Sequence, residues 1–246
     1  MTPRSPLRAV FLDIGDTVMR PNPSWEHIYQ IAFEEYGVQV ATDRLRDALR
    51  AAYHHGGWGF EGGFDPTPEA SFQRTIQIDQ AAIGELGIGT MPEAFFRRLS
   101  ELFLVVSNWH VFPDALPALR ALRDRGLVVG AVSNWVWQLP ELMHSLELVS
   151  HFDFIAASAR VGYEKPHPQI FRYALERAHV GPQQAFHVGD HLDADVGGAQ
   201  GVGIAPVLID RRDRYTRADL PADVPLIRSL TELLPLVDAR LRRASA

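Results

Sequence analysis

The chain of 246 residues has no cysteine, few lysines and no long hydrophobic run. Without cysteine there can be no disulfide, thiolate zinc site or cysteine nucleophile, and redox chemistry says nothing about compartment. A reducing cytosol is compatible, and a cytoplasmic location is the expectation. No segment approaches the roughly 20 apolar residues of a membrane-crossing helix, so no membrane partner is expected. The apolar stretch after Met1 to Arg8 already stops at Asp13, too soon for the core of a secretory leader. Positive charge is not in excess either. The 24 basic and 30 acidic side chains give a net charge of −6, which offers no chain-wide attraction to nucleic acid or anionic lipid. The pairs Arg211-Arg212 and Arg242-Arg243 read as solvated loop or helix ends.

What is present is ordered along the chain. Continuous apolar runs at Ala9 to Leu12, Leu127 to Val132, Phe154 to Ala157, Ala185 to Val188 and Ile204 to Ile209 read as strands buried on both faces, as in parallel sheets. Helical patterns lie between them at Pro113 to Arg125, Pro140 to Leu148 and Pro168 to Ala178, each with proline near its first turn. This alternation predicts an α/β fold with a doubly wound, Rossmann-like parallel sheet. Residues 18 to 108 break the alternation. Ser24 to Tyr36, Thr42 to His55, Glu69 to Leu86 and Pro92 to Val106 read as four amphipathic helices with no strand among them. The predicted division is a core of residues 1–17 and 109–246 with an all-helical insertion at 18–108. Inside the insertion, the glycine- and aromatic-rich stretch from His54 to Phe64 reads either as a mobile substrate-facing loop or, preferred here, as a helix connection whose rings cover the insertion's own core.

In an open parallel sheet the carboxyl ends of the strands lie side by side, so residues just beyond them meet across long sequence separations. Here these are Asp13-Ile14-Gly15-Asp16-Thr17, Ser133-Asn134, Gly162 to Pro166 and Gly189 to Asp195. Asp13 and Asp190, with one lysine and one hydroxyl, suit a metal and an anion. Paired carboxylates with carbonyl and water oxygens fit magnesium (Mg2+), a hard octahedral cation. Ser133 and Asn134 add donors at a helix start, and Lys165 brings a point charge for a phosphoryl oxygen. Every other one of the 24 basic residues is arginine, so the single lysine falls where a compact ammonium is wanted. A carboxylate, ionised at neutral pH, can attack phosphorus to give an aspartyl phosphate.

These segments together resemble the haloacid dehalogenase-like (HAD) hydrolase superfamily, most of whose members are magnesium-dependent phosphatases. Asp-Ile-Gly-Asp-Thr at 13–17 looks like its nucleophile motif, Ser133 like the second, Lys165-Pro166 like the third, and the Gly-Asp and Asp at 189–195 like the fourth. The resemblance implies that residues 18–108 are a helical cap over the active site and that Asp13 is the nucleophile. It implies metal ligation by Asp13, the Gly15 carbonyl and Asp190, with Asp195 behind them ordering Lys165 or a metal-bound water. Thr17 would hold the first loop and belong to the phosphate-binding group with Ser133, Asn134 and Lys165. The expected substrate is a small organic phosphate.

One position departs from the pattern. The superfamily's phosphatases read Asp-x-Asp-Gly-Thr, where the second aspartate protonates the leaving group and activates water, and that position here is Gly15. A missing acid costs about 10²–10⁴ in rate for a poor leaving group. Asp16, one residue later, is a candidate substitute or else a turn residue bonding its own backbone, and His54 or His55 is a further candidate acid. The departure keeps two alternatives open: a metal-independent 2-haloacid dehalogenase, against which Asp190 counts, and a catalytically weak binding relative. Schiff-base phosphonate chemistry is excluded because the insertion has no lysine.

Structural roles are expected elsewhere. Asp193 reads as the cap of a helix running to Ala199, His187 as a satisfied core histidine, and the five tryptophans as packing residues. The repeated Ser-Asn-Trp at 107–109 and 133–135 places only its second copy at a ligand-binding strand end.

Overall fold

The computed structural model describes residues 6–55 and 62–242; the side chains of 53–55 are outside the description. Its sheet has six parallel strands in the order β5-β4-β1-β6-β7-β8, with β1 at Ala9–Leu12, β4 at Val128–Ser133, β5 at Phe154–Ala157, β6 at Ala185–Gly189, β7 at Ala205–Ile209 and β8 at Leu226–Ile227. The last strand is too short to give a periodic signal and was not among the expected runs. The chain moves from β1 to one side through β4 and β5, then returns to β1's other side as β6. The order therefore reverses at β1, and a crevice opens beyond the carboxyl ends of β1, β4 and β6.

Alternation along β1 divides the core. Val10 and Leu12 pack into one apolar cluster with α5 (Ala115–Asp124) and α10 (Leu233–Arg242), while Ala9 and Phe11 pack into another with α8 (Pro168–Ala178). All four side chains are fully buried, which explains why the strand reads as a continuous hydrophobic run. Three short helices complete this unit: α6 (Leu139–Ser145), α7 (Ser158–Val161) and α9 (Gly198–Gly201).

The insertion contains α1 (Trp25–Glu35), α2 (Thr42–His55), α3 (Pro68–Glu85) and α4 (Glu93–Leu102). Ser24 and Thr67 cap α1 and α3 by accepting from the His27 and Ala70 backbone N–H groups. Two expectations need correction. Residues 18–108 do contain a strand: β2 (Met19–Pro21) pairs antiparallel with β3 (Trp109–Val111), so the chain enters and leaves the insertion along one two-stranded ribbon. Helix α4 also stops at Leu102, short of Val106. The Asn108 side chain donates to the Leu102 carbonyl and the Trp109 indole to the Phe103 carbonyl, giving orphan groups of the helix end partners outside the helix. Among the described residues no helix is long and apolar enough to cross a membrane.

Candidate active site

Beyond the ends of β1, β4 and β6 the side chains close on one another. Lys165 Nζ lies 2.6 Å from Asp13 Oδ1 and 2.6 Å from Asp195 Oδ1, and the Ser133 hydroxyl donates to Asp13 Oδ1 at 2.8 Å. Residues 120 and 152 positions apart in sequence are thus joined by hydrogen bonds, as strand-end convergence predicts. The lysine is held from behind. Asn134 Oδ1 accepts from the Lys165 N–H at 2.7 Å, and Asn134 Nδ2 donates to the Lys165 carbonyl at 2.9 Å. The Asn134 amide thus ties itself to the lysine loop and keeps one N–H beyond these two bonds.

Asp195 is equally committed. Its Oδ1 meets Lys165 and also His187 Nε2 at 2.8 Å, and its Oδ2 accepts from the His191 N–H at 3.0 Å. A carboxylate only accepts, so the proton in the His187 bond sits on Nε2. His187 is fully buried, so the core placement expected for it is observed, but it also braces an active-site carboxylate. Gly189 makes this approach possible: a Cβ there would lie 2.2 Å from Asp195 Cγ.

The electrostatics reveal a charge deficit. Asp13, Asp190 and Asp195 present oxygens within 4.8 Å of one another, faced by two cations, the Lys165 ammonium and the Arg214 guanidinium on Asp190. Burial raises Asp13 above the usual carboxylate range, against the pull of Lys165. Burial, reinforced by the charges of Asp13 and Asp195, pushes Asp190 up to about 7. Asp195 moves the other way, because Lys165 and His187 outweigh the cost of its burial and hold it below the ordinary range. Burial opposes the charge on Lys165, but the two carboxylates beside it win and keep it above its usual value. A cation held by Asp13 and Asp190 would relieve the deficit. The all-oxygen donor set fits magnesium, and Asp195, whose oxygens are already engaged, fits the supporting place behind them.

Other predicted residues have different surroundings. Thr17 is fully buried, and its carbonyl receives Arg211 Nη2 at 2.8 Å. Asp16 has φ 51°, its N–H donates to the Met19 carbonyl, and its carboxylate is 2.5 Å from Arg212. It is a turn residue tied by an arginine rather than by its own backbone. At Gly15 a Cβ would lie 3.3 Å from Trp135 Cζ3, so a ring stands close over this position. Asp193 does not cap the following helix. That place belongs to His191, whose ring accepts from the Ala194 N–H at 3.2 Å. The side chains of the candidates His54 and His55, and residues 56–61 of the glycine-rich stretch, lie outside the description.

Sequence reasoning missed the arginines of the loop after β7. Asp210, fully buried, accepts from the Tyr215 N–H at 2.8 Å and from Arg228 at 3.2 Å, and so folds residues 210–215 back toward the site. Arg214 Nη2 then reaches Asp190 Oδ2 at 2.7 Å, and Arg212 reaches Asp16. Arg211 is not solvated as expected. It stacks over the Phe112 ring at 3.8 Å and binds Asp114 at 3.1 Å. Asp210 follows an apolar strand just as Asp13 and Asp190 do, and that shared signal could have found the loop.

Above Asp13 lies a cavity of about 1160 Å³, walled on the other side by α1, α2, α3 and α4. Contacts among the described residues tie the insertion to this edge: Arg74 Nη2 sits 2.7 Å from the buried Glu164 carboxylate, Ser71 accepts from the Trp137 N–H, and the Phe64 N–H donates to the Gly162 carbonyl at 2.9 Å. Burial pushes Glu164 up to about 8 in spite of Arg74. Three tryptophans meet at the cavity's edge, with ring centroids 5.4 Å (Trp25–Trp109), 5.9 Å (Trp25–Trp135) and 5.3 Å (Trp109–Trp135) apart. Both copies of Ser-Asn-Trp thus contribute to one cluster.

The family model for haloacid dehalogenase-like hydrolases matches residues 7–203 of the chain. A mouse protein, haloacid dehalogenase-like hydrolase domain-containing protein 3, is 30% identical over 250 residues, covering 97% of this chain and 96% of its own. The glyceraldehyde 3-phosphate phosphatase of Pyrococcus furiosus is 33% identical over 241 residues, covering 94% and 92%. Among solved structures, the magnesium-bound HAD-hydrolase YfnB of Bacillus subtilis superposes with a TM-score of 0.75 at 19% identity, covering 95% of this chain and all of that one.

Proposed function

Because the chain belongs to the haloacid dehalogenase-like hydrolases, we propose that it is a magnesium-dependent phosphatase of a small organic phosphate, working through Asp13. The observation that carries the reading is the convergence of Asp13, Ser133, Lys165 and Asp190 at one sheet edge, with an ammonium 2.6 Å from the nucleophile. Two relatives named as phosphatases, of glyceraldehyde 3-phosphate and of phosphoserine, support the reaction class.

Asp13 Oδ1 is committed to Ser133 and Lys165, which leaves Oδ2 for attack on phosphorus. Lys165 and Ser133 turn toward the phosphoryl oxygens as these arrive, and Asn134 keeps the lysine loop in register. Asp190 and the Gly15 carbonyl would complete the magnesium site with Asp13, and the ion would neutralise charge on the transferred group. Asp195 and His187 keep the ammonium in place. Residues 18–108 act as the cap, with the ribbon of β2 and β3 as its stem, and exclude water while the phosphoryl group moves. Transfer to a carboxylate followed by hydrolysis divides one difficult displacement into two easier ones.

A panel of phosphate monoesters and 2-haloacids, assayed with magnesium and with EDTA, tests the reading. The expected result is phosphate release that requires magnesium and disappears in Asp13→Asn. Halide release that persists in EDTA would replace this reading with the dehalogenase.

A further inference from the structure

The wall of the cavity facing Asp13 is aromatic where it meets the insertion. Trp25 and Phe103 are half-buried with centroids 5.9 Å apart, Tyr29 sits 5.7 Å from Phe103, and Trp135 sits 5.9 Å from Trp25. All four line the cavity that opens over the nucleophile. In the loop after β1, position 15 has no side chain and the Asp16 carboxylate is held 2.5 Å from Arg212, so neither position offers an acid to a leaving group.

We propose that the group leaving phosphorus is aromatic, so that the preferred substrates are phosphate monoesters of phenols and naphthols whose ring packs against Trp25, Phe103 and Trp135. The proposal rests on the phosphatase reading and specifies its substrate class. Its chemistry suits the loop. An Asp13 carboxylate oxygen attacks phosphorus, the bond from phosphorus to the aryl oxygen breaks, and the electron pair departs on a phenoxide. A phenol has a pKa of about 10, so its anion leaves without a proton from the protein and takes one from water afterwards. Water then attacks phosphorus, the bond to Asp13 breaks, the carboxylate is regenerated, and the water's proton passes to phosphate or solvent. An aliphatic alkoxide is far more basic and would need an acid during departure.

The test compares 1-naphthyl phosphate with acetyl phosphate in the full-length, magnesium-loaded protein. Both leaving groups depart without protonation, so the comparison isolates the ring. Burying the ring against the wall predicts a KM about 30-fold lower for the naphthyl ester. In Trp25→Ala and Phe103→Ala this KM ratio falls by about tenfold, and Phe103→Leu stands in should an alanine variant fail to fold. Turnover of acetyl phosphate with no preference for the naphthyl ester overturns the proposal and leaves the phosphatase reading standing. Turnover of neither compound overturns both.

Discussion

Lys165→Met removes the only ammonium from a corner that contains three carboxylates, and its effect follows from the geometry. The ammonium lies 2.6 Å from each of two carboxylates, and all three side chains are less than a tenth exposed. Removing one partner of a buried pair costs about 3–5 kcal/mol, mostly because the other charge is left uncompensated. The two pairs share one ammonium and do not add. A loss of about 4 kcal/mol is expected at pH 8 in EDTA. The loss should shrink in acid. Asp13 is already raised by burial, and Asp190 lies at about 7 with the lysine in place. A carboxyl whose folded value exceeds its unfolded one binds more protons when folded, so its contribution to stability grows as pH falls from near 7 toward 4. The variant raises these carboxyls further and should recover part of its deficit by pH 5. Urea unfolding followed by circular dichroism at both pH values measures this. A deficit under about 1 kcal/mol at pH 8, or one that widens in acid, would refute the charge accounting.

Two substitutions probe neighbouring parts of the corner. Gly189→Ala forces its new methyl group into Asp195 and should cost about 1–3 kcal/mol, while also reducing the rise in Tm that magnesium produces. Calorimetry with and without the metal checks both effects, and an unchanged metal response would mean that Asp195 does not govern the site. Gly15→Asp meets Trp135 at 3.3 Å, so the acid should gain room in Gly15→Asp/Trp135→Leu. Against Trp135→Leu alone, the double variant should hydrolyse alkyl phosphates about 10²-fold faster. Equal rates would show that a missing acid is not what limits those esters.

Much of this site was legible before any coordinates, because it obeys a rule of the sheet. Asp13, Ser133 and Asp190 each follow or end a buried apolar strand, and parallel strands bring such positions together whatever their distance in sequence. The helices of the insertion were legible from their period and their glycine stops, such as Gly37 and Gly87, both with positive φ. What escaped was side-chain direction. The pairing of Arg214 with Asp190 and of Arg212 with Asp16 depends on how one loop folds around Asp210, which no local period records. Asn134 sits where predicted, yet its amide turns to the backbone of Lys165. Strand β2 has only three residues, too few to show alternation, and its partner lies beyond the whole insertion.

The tryptophan triangle gives the protein a built-in optical reporter. Its rings come from the start of α1 inside the insertion, from β3 just after it and from the turn after β4, and their centroids are 5.3–5.9 Å apart. At such separations excitation passes among the indoles, so their common emission depends on how the three segments stand to one another. A shift of the insertion against the sheet changes that spacing at Trp25 while Trp135 stays with β4. Were the insertion to open and close over the sheet, ultraviolet fluorescence of the unlabelled chain would report it.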